Sequence, residues 1–118
     1  MDRQQIGRDA EQRAAEYLES AGLKLFTRNY RCRMGELDIV ASSGTTLVIA
    51  EVRTRSRADF GGAAASITRR KQQRIVRASR HLLATHPALA RMRVRFDVLV
   101  IHADQRPIDW LRGAFDAF

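Results

Sequence analysis

Acidic residues inside two strand-like segments constrain the fold of this chain more than any other feature. Residues 35–41 and 46–55 are rich in β-branched and other apolar residues, and the Ser/Gly-containing stretch 42–45 between them favours a β-hairpin. Four charged residues interrupt the apolar runs: Glu36, Asp38, Glu51 and Arg53. Such a hairpin needs a partner for its carboxylates, because a half-buried carboxylate is unfavourable without compensation.

The pairing register of the hairpin decides whether the carboxylates meet. Side chains alternate between the two faces of a strand, so Glu36 and Asp38 share one face. A turn centred on residues 43–44 would place Glu36 opposite Glu51, whereas a shift by two residues would place Asp38 opposite Glu51. Both registers bring the carboxylates onto one face, and only a one-residue shift would separate them.

Two kinds of compensation for these carboxylates are open. One is a hard divalent cation, since oxygen-only ligands suit magnesium or manganese. The other is the guanidinium group of Arg53, in which case the hairpin carries a solvated ladder of arginine and glutamate. Three acids and a base among apolar neighbours favour the cation.

Composition limits the class of protein. The 118 residues predict a single domain, 1–118, with one hydrophobic core. No apolar run approaches the ~20 residues of a membrane span, and the polar N-terminus lacks the apolar stretch of a signal peptide. The single cysteine, Cys32, excludes an internal disulfide and a cysteine-based zinc site, and predicts a cytoplasmic protein.

The basic residues predict a polyanionic partner. Lysine and arginine total 21 against 13 acidic residues, giving a net charge of +8, and only Lys24 and Lys71 are lysines. Arginine grips phosphate through two hydrogen bonds at once, so this bias favours nucleic acid; a GC-rich genome would produce the same bias. We expect DNA as the partner and no membrane. The sequence leaves open whether two copies form a homodimer.

The first helix carries a candidate metal ligand. Apolar residues recur at three- and four-residue steps from Arg3 to Ala21, and Gly22 stops the helix. Glu11 falls at the edge of the apolar stripe and can face the sheet. Alternatively, Glu11 is a rim carboxylate paired with Arg8 or Arg13.

A second helix is predicted from a cap at Ser66 or Thr68 to about His86. Arginines gather on its outward face, and Lys71 lies in its first turn at the border of the apolar stripe. A solvated helix face is the alternative for these arginines. With the arginines that flank the hairpin they form the predicted nucleic-acid-binding set: Arg31, Arg33, Arg55, Arg57, Arg70, Lys71, Arg74 and Arg77.

The remaining segments complete an α/β or α+β order of helix, three strands, helix, strand and tail. Residues 23–30 are predicted to form a short strand whose apolar part is 23–26, and residues 92–101 a longer one in which Asp97 is structural. Residues 108–118 are predicted to be a short tail that Trp110 docks on the core.

The order of these motifs resembles the PD-(D/E)xK nuclease superfamily, and more closely the YraN family of bacterial proteins, which is similar to archaeal Holliday junction resolvases. The resemblance covers nearly the whole chain. The matching segments are, in order, Glu11-x-x-Ala14-x-x-Tyr17-Leu18, Arg28-Asn29-Tyr30-Arg31, Gly35-Glu36-Leu37-Asp38, Glu51-Val52-Arg53-Thr54-Arg55, Phe60-Gly61, Lys71 and Arg95-Phe96-Asp97-Val98.

The resemblance implies a restriction-endonuclease-like core, in which helices flank a mixed central sheet. It implies that Glu11, Asp38 and Glu51 hold Mg²⁺ or Mn²⁺, and that the protein is a metal-dependent endonuclease acting on the phosphodiesters of branched or damaged DNA. The alternative function is a nucleic-acid-binding module that has this fold with little or no catalysis.

Arg53 departs from the superfamily, which usually has lysine at this position. Arginine stays protonated and cannot act as a base. It can still orient the attacking water or stabilise charge that grows on the phosphoryl group. Lys71, on the adjacent helix, is a candidate for the missing lysine.

Overall fold

A five-stranded mixed sheet lies between two helices. The computed structural model describes residues 2–55 and 67–117. The elements are α1 (Arg3–Ser20), β1 (Lys24–Cys32), β2 (Gly35–Ser43), β3 (Thr46–Arg55), α2 (Arg69–Thr85), a 3-10 turn (Pro87–Leu89), β4 (Arg93–His102) and β5 (Asp109–Phe115). Arg57, the Phe60-Gly61 motif and the alternative helix cap Ser66 lie outside the described residues.

The strands follow one another across the sheet in chain order. Every neighbouring pair is antiparallel except β3 and β4, which are parallel. Parallel neighbours need a crossover connection, and the segment that contains α2 supplies it. The predicted α/β class is confirmed, and the arrangement is consistent with a restriction-endonuclease-like core.

Both faces of the central strands are buried, which explains their nearly continuous apolar sequence. Along β3, Leu47 and Ile49 pack towards α2, whereas Val48 and Ala50 pack towards α1. The α1 residues that meet the sheet are mostly small, so this helix lies close to it: Ala10, Ala14, Ala15 and Leu18.

Each helix begins at a side-chain cap. Asp2 accepts a hydrogen bond from the backbone N–H of Gln5 at 2.8 Å. Thr68 accepts one from the backbone N–H of Lys71 at 3.1 Å, so Thr68 caps α2 as predicted. Neither helix in the described part of the chain is long and apolar enough to cross a membrane.

The predicted tail is wrong, because residues 109–115 form β5 at the edge of the sheet. No residue of β5 is β-branched, and Gly113 has a φ of 61°, so the usual strand signal is missing. The strand predicted at residues 23–30 is confirmed as β1, which begins at Lys24 and continues to Cys32. Trp110 contacts Tyr17 edge to face, with the ring centroids 6.0 Å apart.

Candidate metal and nucleic-acid site

The hairpin adopts the register that brings Asp38 opposite Glu51. Ser43 pairs with Thr46, and the pairing continues to Ile39 and Ala50. The next residues in this register are Asp38 and Glu51. The alternative turn centred on residues 43–44 is therefore wrong. Gly44, whose φ is 60°, and Thr45 connect the strands instead, in the two-residue loop that hairpins favour.

The carboxylates replace the ordinary strand ladder at this end of the hairpin. The backbone N–H of Val52 donates to Oδ2 of Asp38 at 2.9 Å, and the backbone N–H of Asp38 donates to Oε2 of Glu51 at 3.3 Å. Each acid thus accepts from the backbone of the opposite strand. These two bonds hold the carboxyl groups side by side, with Glu51 only 1% exposed.

Strand alternation breaks at Asp38. Ile39 belongs to the core beneath α1, whereas Leu37 belongs to the core beneath α2. Residues two apart in a regular strand would point to the same side. Asp38 lies between these two residues, at the point where the strand changes face, and it therefore lines the cavities on both sides of the sheet.

Glu11 approaches from α1. Its side chain is 16% exposed, and Nη2 of Arg28 lies 3.7 Å from its Oε1. That distance is an ionic contact rather than a hydrogen bond, and this buried oxygen has no hydrogen-bond partner. The residue faces the sheet as predicted, but its ionic contact is with Arg28 of β1 instead of Arg8 or Arg13.

The three acids resist ionisation. Burial is the main cause that raises the pKa of Glu11, followed by the charge of Asp38. Burial also raises the pKa of Asp38, against the hydrogen bond from Val52. Burial and the adjacent Asp38 raise the pKa of Glu51 well above the ordinary value for glutamate. Three carboxyl groups that disfavour their own charge form a site that a cation would stabilise.

Two open cavities of about 770 Å³ each meet at this cluster. Four residues line both cavities: Arg31, Glu36, Asp38 and Lys71. The cavity on the α2 side adds Glu51, Arg70 and Arg74. The cavity on the α1 side adds Glu11, Asn29 and Arg53. We call the two together the acidic cleft, since all the predicted metal ligands line it.

A glycine lets the acidic cleft form next to α2. A Cβ atom built on Gly35 would lie 3.3 Å from both Cβ and the carbonyl oxygen of Arg74. These contacts are tight, so the start of β2 approaches the helix backbone closely only because residue 35 has no side chain. The approach brings Arg74 and Lys71 to the same cavity as Asp38.

Four of the predicted nucleic-acid-binding residues line one cavity. Arg31, Arg70, Lys71 and Arg74 line the acidic cleft. Arg33 is exposed in the turn that follows β1.

Two predicted positions differ from this arrangement. Arg77 is exposed on α2 like Arg70 and Arg74. It lines a neighbouring surface depression with Arg69 and Arg80 instead of the acidic cleft. Arg55 ends β3, paired with His102, and lines neither cavity of the acidic cleft.

Two residues outside the predicted ligand set also line the acidic cleft. Glu36 was predicted to share the acidic face of the hairpin but not to bind the metal, and Asn29 was not predicted as a site residue. Glu36 contributes a fourth negative charge, which helps to raise the pKa values of Asp38 and Glu11. Nε of Arg31 lies 3.4 Å from Oε1 of Glu36. In the sequence, Asn29 stands out only as a member of the Arg28-Asn29-Tyr30-Arg31 segment, which is part of the family resemblance.

The donor set fits a magnesium-like ion, with one restriction. Within residues 2–55 and 67–117, no three His, Cys, Asp or Glu residues are already grouped closely enough to hold a metal ion. Magnesium keeps several of its waters and commonly takes only one or two protein carboxylates. Asp38 and Glu51 meet that requirement, and the unpartnered buried oxygen of Glu11 lies on the same cleft.

Comparison with known proteins identifies the family. The sequence model of the uncharacterised protein family UPF0102 matches residues 10–101. The chain belongs to the UPF0102 family. This confirms the resemblance to YraN proteins, and the matched region contains Glu11, Asp38 and Glu51.

Relatives within the UPF0102 family match almost the entire chain. A UPF0102 protein of Legionella pneumophila strain Philadelphia 1 is 44% identical over 114 residues, which cover 97% of both chains. One from Nitrosomonas europaea is 48% identical over 111 residues, covering 93% of this chain and 92% of its own. One from Dechloromonas aromatica is also 48% identical over 111 residues, covering 94% of this chain and 88% of its own. Since the family is uncharacterised, an activity has to be argued from the site.

Proposed function

We propose that this protein is a cytoplasmic, metal-dependent endonuclease that hydrolyses DNA phosphodiesters in branched or damaged DNA. The observation that carries the proposal is the acidic cleft, in which three carboxyl groups with raised pKa values adjoin cationic walls. Carboxylates attract a divalent cation, and arginines attract phosphate. Hydrolysis of a phosphodiester needs both groups at one place.

The carboxylates would hold Mg²⁺ or Mn²⁺. Asp38 and Glu51 are the nearest pair, and Glu11 would complete the coordination directly or through water. When bound, the cation would neutralise phosphate charge and make water a stronger nucleophile. The chain itself would position these ligands through the backbone bonds to Asp38 and Glu51.

The cations of the acidic cleft would act on the phosphate. Arg53 lines the α1-side cavity with Asp38 and Glu11, where its guanidinium would stabilise the charge that develops on the phosphoryl oxygens. Lys71 lines both cavities, and its positive charge opposes the rise in pKa of Asp38 and Glu51. Lys71 is therefore placed to supply the cation that lysine gives in the wider superfamily.

A second candidate function is nucleic-acid binding without turnover. Two observations favour it: Arg53 stands where the superfamily usually has lysine, and no three-ligand cluster is present in the described segments. The cationic walls would then hold DNA, and the carboxyl pair would be structural.

Incubation with DNA tests the proposal. Pure protein would be mixed with duplex, single-stranded and four-way DNA, in Mg²⁺, Mn²⁺ or chelator. Metal-dependent cleavage that disappears in Glu51→Gln supports the endonuclease. Tight binding to DNA with no cleavage in either metal would favour the binding module, and neither binding nor cleavage would remove both functions.

The roles of Arg53 and Lys71 can be separated by substitution. We expect Arg53→Lys to keep or raise cleavage, because a cation remains, and Arg53→Ala to lower it by roughly 10²-fold, the effect of losing one transition-state charge contact. Lys71→Ala should be as harmful only if Lys71 replaces the missing lysine. Full single-turnover rates in both alanine variants would show that neither side chain is the required cation.

DNA affinity should depend on salt through the cleft arginines. Each phosphate neutralised by arginine contributes about 0.9 to the slope of log affinity against log salt, so Arg70→Ala/Arg74→Ala should lower the slope by about 1.8. Both side chains are exposed, so melting temperatures should change little. Arg91→Ala is the matched control, since Arg91 is an exposed arginine that does not line the acidic cleft. An unchanged slope in the double variant would place the phosphate contacts elsewhere.

A further inference from the structure

Asn29 has a backbone conformation that is rare for its residue type. Its φ is 53° in the middle of β1. Only a few per cent of residues other than glycine adopt a positive φ, and asparagine tolerates it better than most. Such residues concentrate at functional sites, where the surrounding structure maintains the strain.

The left-handed turn at Asn29 sends its two neighbours to opposite sides of the sheet. Arg28 reaches α1, where Nη1 donates to Oε1 of Gln12 at 2.7 Å. The hydroxyl of Tyr30 reaches α2 and forms a short hydrogen bond with Nδ1 of His81. A regular strand would point both side chains the same way. The conformation of Asn29 therefore lets β1 form side-chain hydrogen bonds with both helices.

The same turn lies across from Asp38. Arg28 pairs with Ile39 and Tyr30 pairs with Leu37, which places Asn29 opposite Asp38 between these pairs. The two strands thus change face together, at the residue that lines both cavities of the acidic cleft. Asn29 itself is exposed and lines the α1-side cavity with Glu11 and Asp38.

The side chain of Asn29 also lines the α1-side cavity together with a candidate ligand, Glu11. Oε1 of Glu11 is buried and has no hydrogen-bond partner. A side chain that packed the core would be buried, whereas Asn29 is open to the cleft. Glycine would satisfy a positive φ without strain, so backbone geometry alone gives no reason for an amide here.

We propose that Asn29 is a positioning residue of the metal site, whose left-handed backbone aligns Asp38 between the two helices and whose amide group holds the Glu11 carboxylate beside it. The proposal deepens the function argued above and rests on it. The amide N–H would donate to the Glu11 carboxylate, which has an unpartnered oxygen, and hold it in a fixed orientation. Groups that orient metal ligands in this way commonly change metal affinity by about 10–100-fold when removed.

Substitution of Asn29 by glycine separates the effect of its amide group from the effect of its backbone conformation. Asn29→Gly keeps the left-handed conformation accessible and removes only the side chain, whereas Asn29→Ala also strains the backbone. Titration calorimetry with Mg²⁺ and Mn²⁺, together with melts of the metal-free proteins, would measure both effects. We expect Asn29→Gly to melt within a few degrees of the wild type and to bind Mg²⁺ about tenfold or more weakly. Asn29→Ala should show the same loss of affinity and a lower melting temperature.

Gln105 provides a matched control, because it is an exposed residue with a φ of 66° that lies outside the acidic cleft. Gln105→Gly should change neither metal affinity nor the response to metal. Combining Asn29→Gly with Glu11→Gln tests the route of the effect: if Asn29 acts through Glu11, the double variant should bind Mg²⁺ no more weakly than Glu11→Gln alone.

The possible failures are distinguishable. Wild-type affinity in Asn29→Gly would overturn the positioning role and leave the proposed function standing. Additive losses in the double variant would overturn the route through Glu11. A wild-type protein that binds neither Mg²⁺ nor Mn²⁺ would overturn the proposed metal site and this inference together.

Discussion

Replacing Asp97 by alanine should lower the unfolding free energy by about 3–5 kcal/mol, because it removes a buried carboxylate that accepts four hydrogen bonds. Asp97 is fully buried. Its Oδ1 accepts hydrogen bonds of 2.9 Å from Nε of Arg95 and from the backbone N–H of Gly113. Its Oδ2 accepts from Nη2 of Arg95 at 2.9 Å and from Nε1 of Trp110 at 2.8 Å.

Two of these four bonds, those from Trp110 and Gly113, attach the edge strand to the sheet. The pairing of β4 with β5 is irregular between Phe96 and Val98, so the side chain of Asp97 supplies contacts at the point where the ladder is interrupted. Alanine would leave the indole N–H of Trp110 and the N–H of Gly113 without their acceptor, and each unsatisfied donor costs about 1–3 kcal/mol. Since a domain of this size is stable by only about 5–15 kcal/mol, the loss is a large share of the total.

Chemical denaturation of Asp97→Ala and thermal melting would measure the effect, which corresponds to a fall in melting temperature of about 10–20 °C. Asp97→Asn keeps one acceptor oxygen and should lose less. Asp116→Ala, at an exposed acid close to β5 in the chain, is the control and should melt like the wild type. A loss below 1 kcal/mol in Asp97→Ala would show that β5 is held mainly by its apolar contacts.

The periodicity of the sequence predicted those parts of the candidate site that depend on a single helix or strand. The two β-branched runs and the Ser/Gly stretch between them predicted the hairpin, and both candidate registers placed the acids on one face. The helical period placed Glu11 towards the sheet, where its side chain is 16% exposed. These predictions succeeded because burial repeats with the period of a strand or helix, and the sequence records that repeat directly.

Features that depend on two distant elements could not be predicted in the same way. The contact between Arg28 and Glu11 joins β1 to α1, and the change of strand face at Asp38 depends on the left-handed turn of Asn29 on the neighbouring strand. Neither leaves a periodic signal. The edge strand β5 was missed for a related reason, since its attachment relies on Asp97, which belongs to β4.

Replacing Glu51 by glutamine should stabilise the metal-free protein near neutral pH and abolish its response to magnesium. Burial and the charge of Asp38 raise the pKa of Glu51 in the folded protein. The folded state therefore binds a proton more tightly than the unfolded state does. Between the ordinary glutamate pKa of 4.5 and the raised pKa of the folded protein, Glu51 holds its proton in the folded state and loses it on unfolding. The unfolding free energy of the wild type should therefore fall as the pH rises through this window.

The glutamine amide imitates the protonated acid at every pH. Its oxygen can still accept from the backbone N–H of Asp38, and its N–H groups can donate to the Asp38 carboxylate. Glu51→Gln should therefore show a flatter dependence of stability on pH than the wild type. Asp38→Asn should behave similarly, since its amide oxygen can keep the bond from Val52.

Metal should reverse the order of stability. A ligand present at 100 times its dissociation constant stabilises the folded state by about 2.7 kcal/mol, so wild-type protein in sufficient Mg²⁺ should gain about this amount. Glu51→Gln and Asp38→Asn should lose the stabilisation by Mg²⁺ and any cleavage. They should still bind DNA, because the arginine and lysine residues that line the acidic cleft are unchanged. Glu19→Gln, on the exposed side of α1, should keep the full gain.

The opposite pattern of stability changes would show that Asp38 and Glu51 are a structural pair and not metal ligands. If Asp38 and Glu51 serve to balance the charge of Arg53 or Arg55, both amide substitutions should destabilise the metal-free protein, and Mg²⁺ should leave every melting temperature unchanged. Melts of the wild type, the two variants and the control, at pH 5 and pH 8 and with or without Mg²⁺, separate the two cases. Because Glu51→Gln removes a charge without removing an atom of the packing, its change in stability reports the electrostatics of the acidic cleft rather than the loss of a core contact.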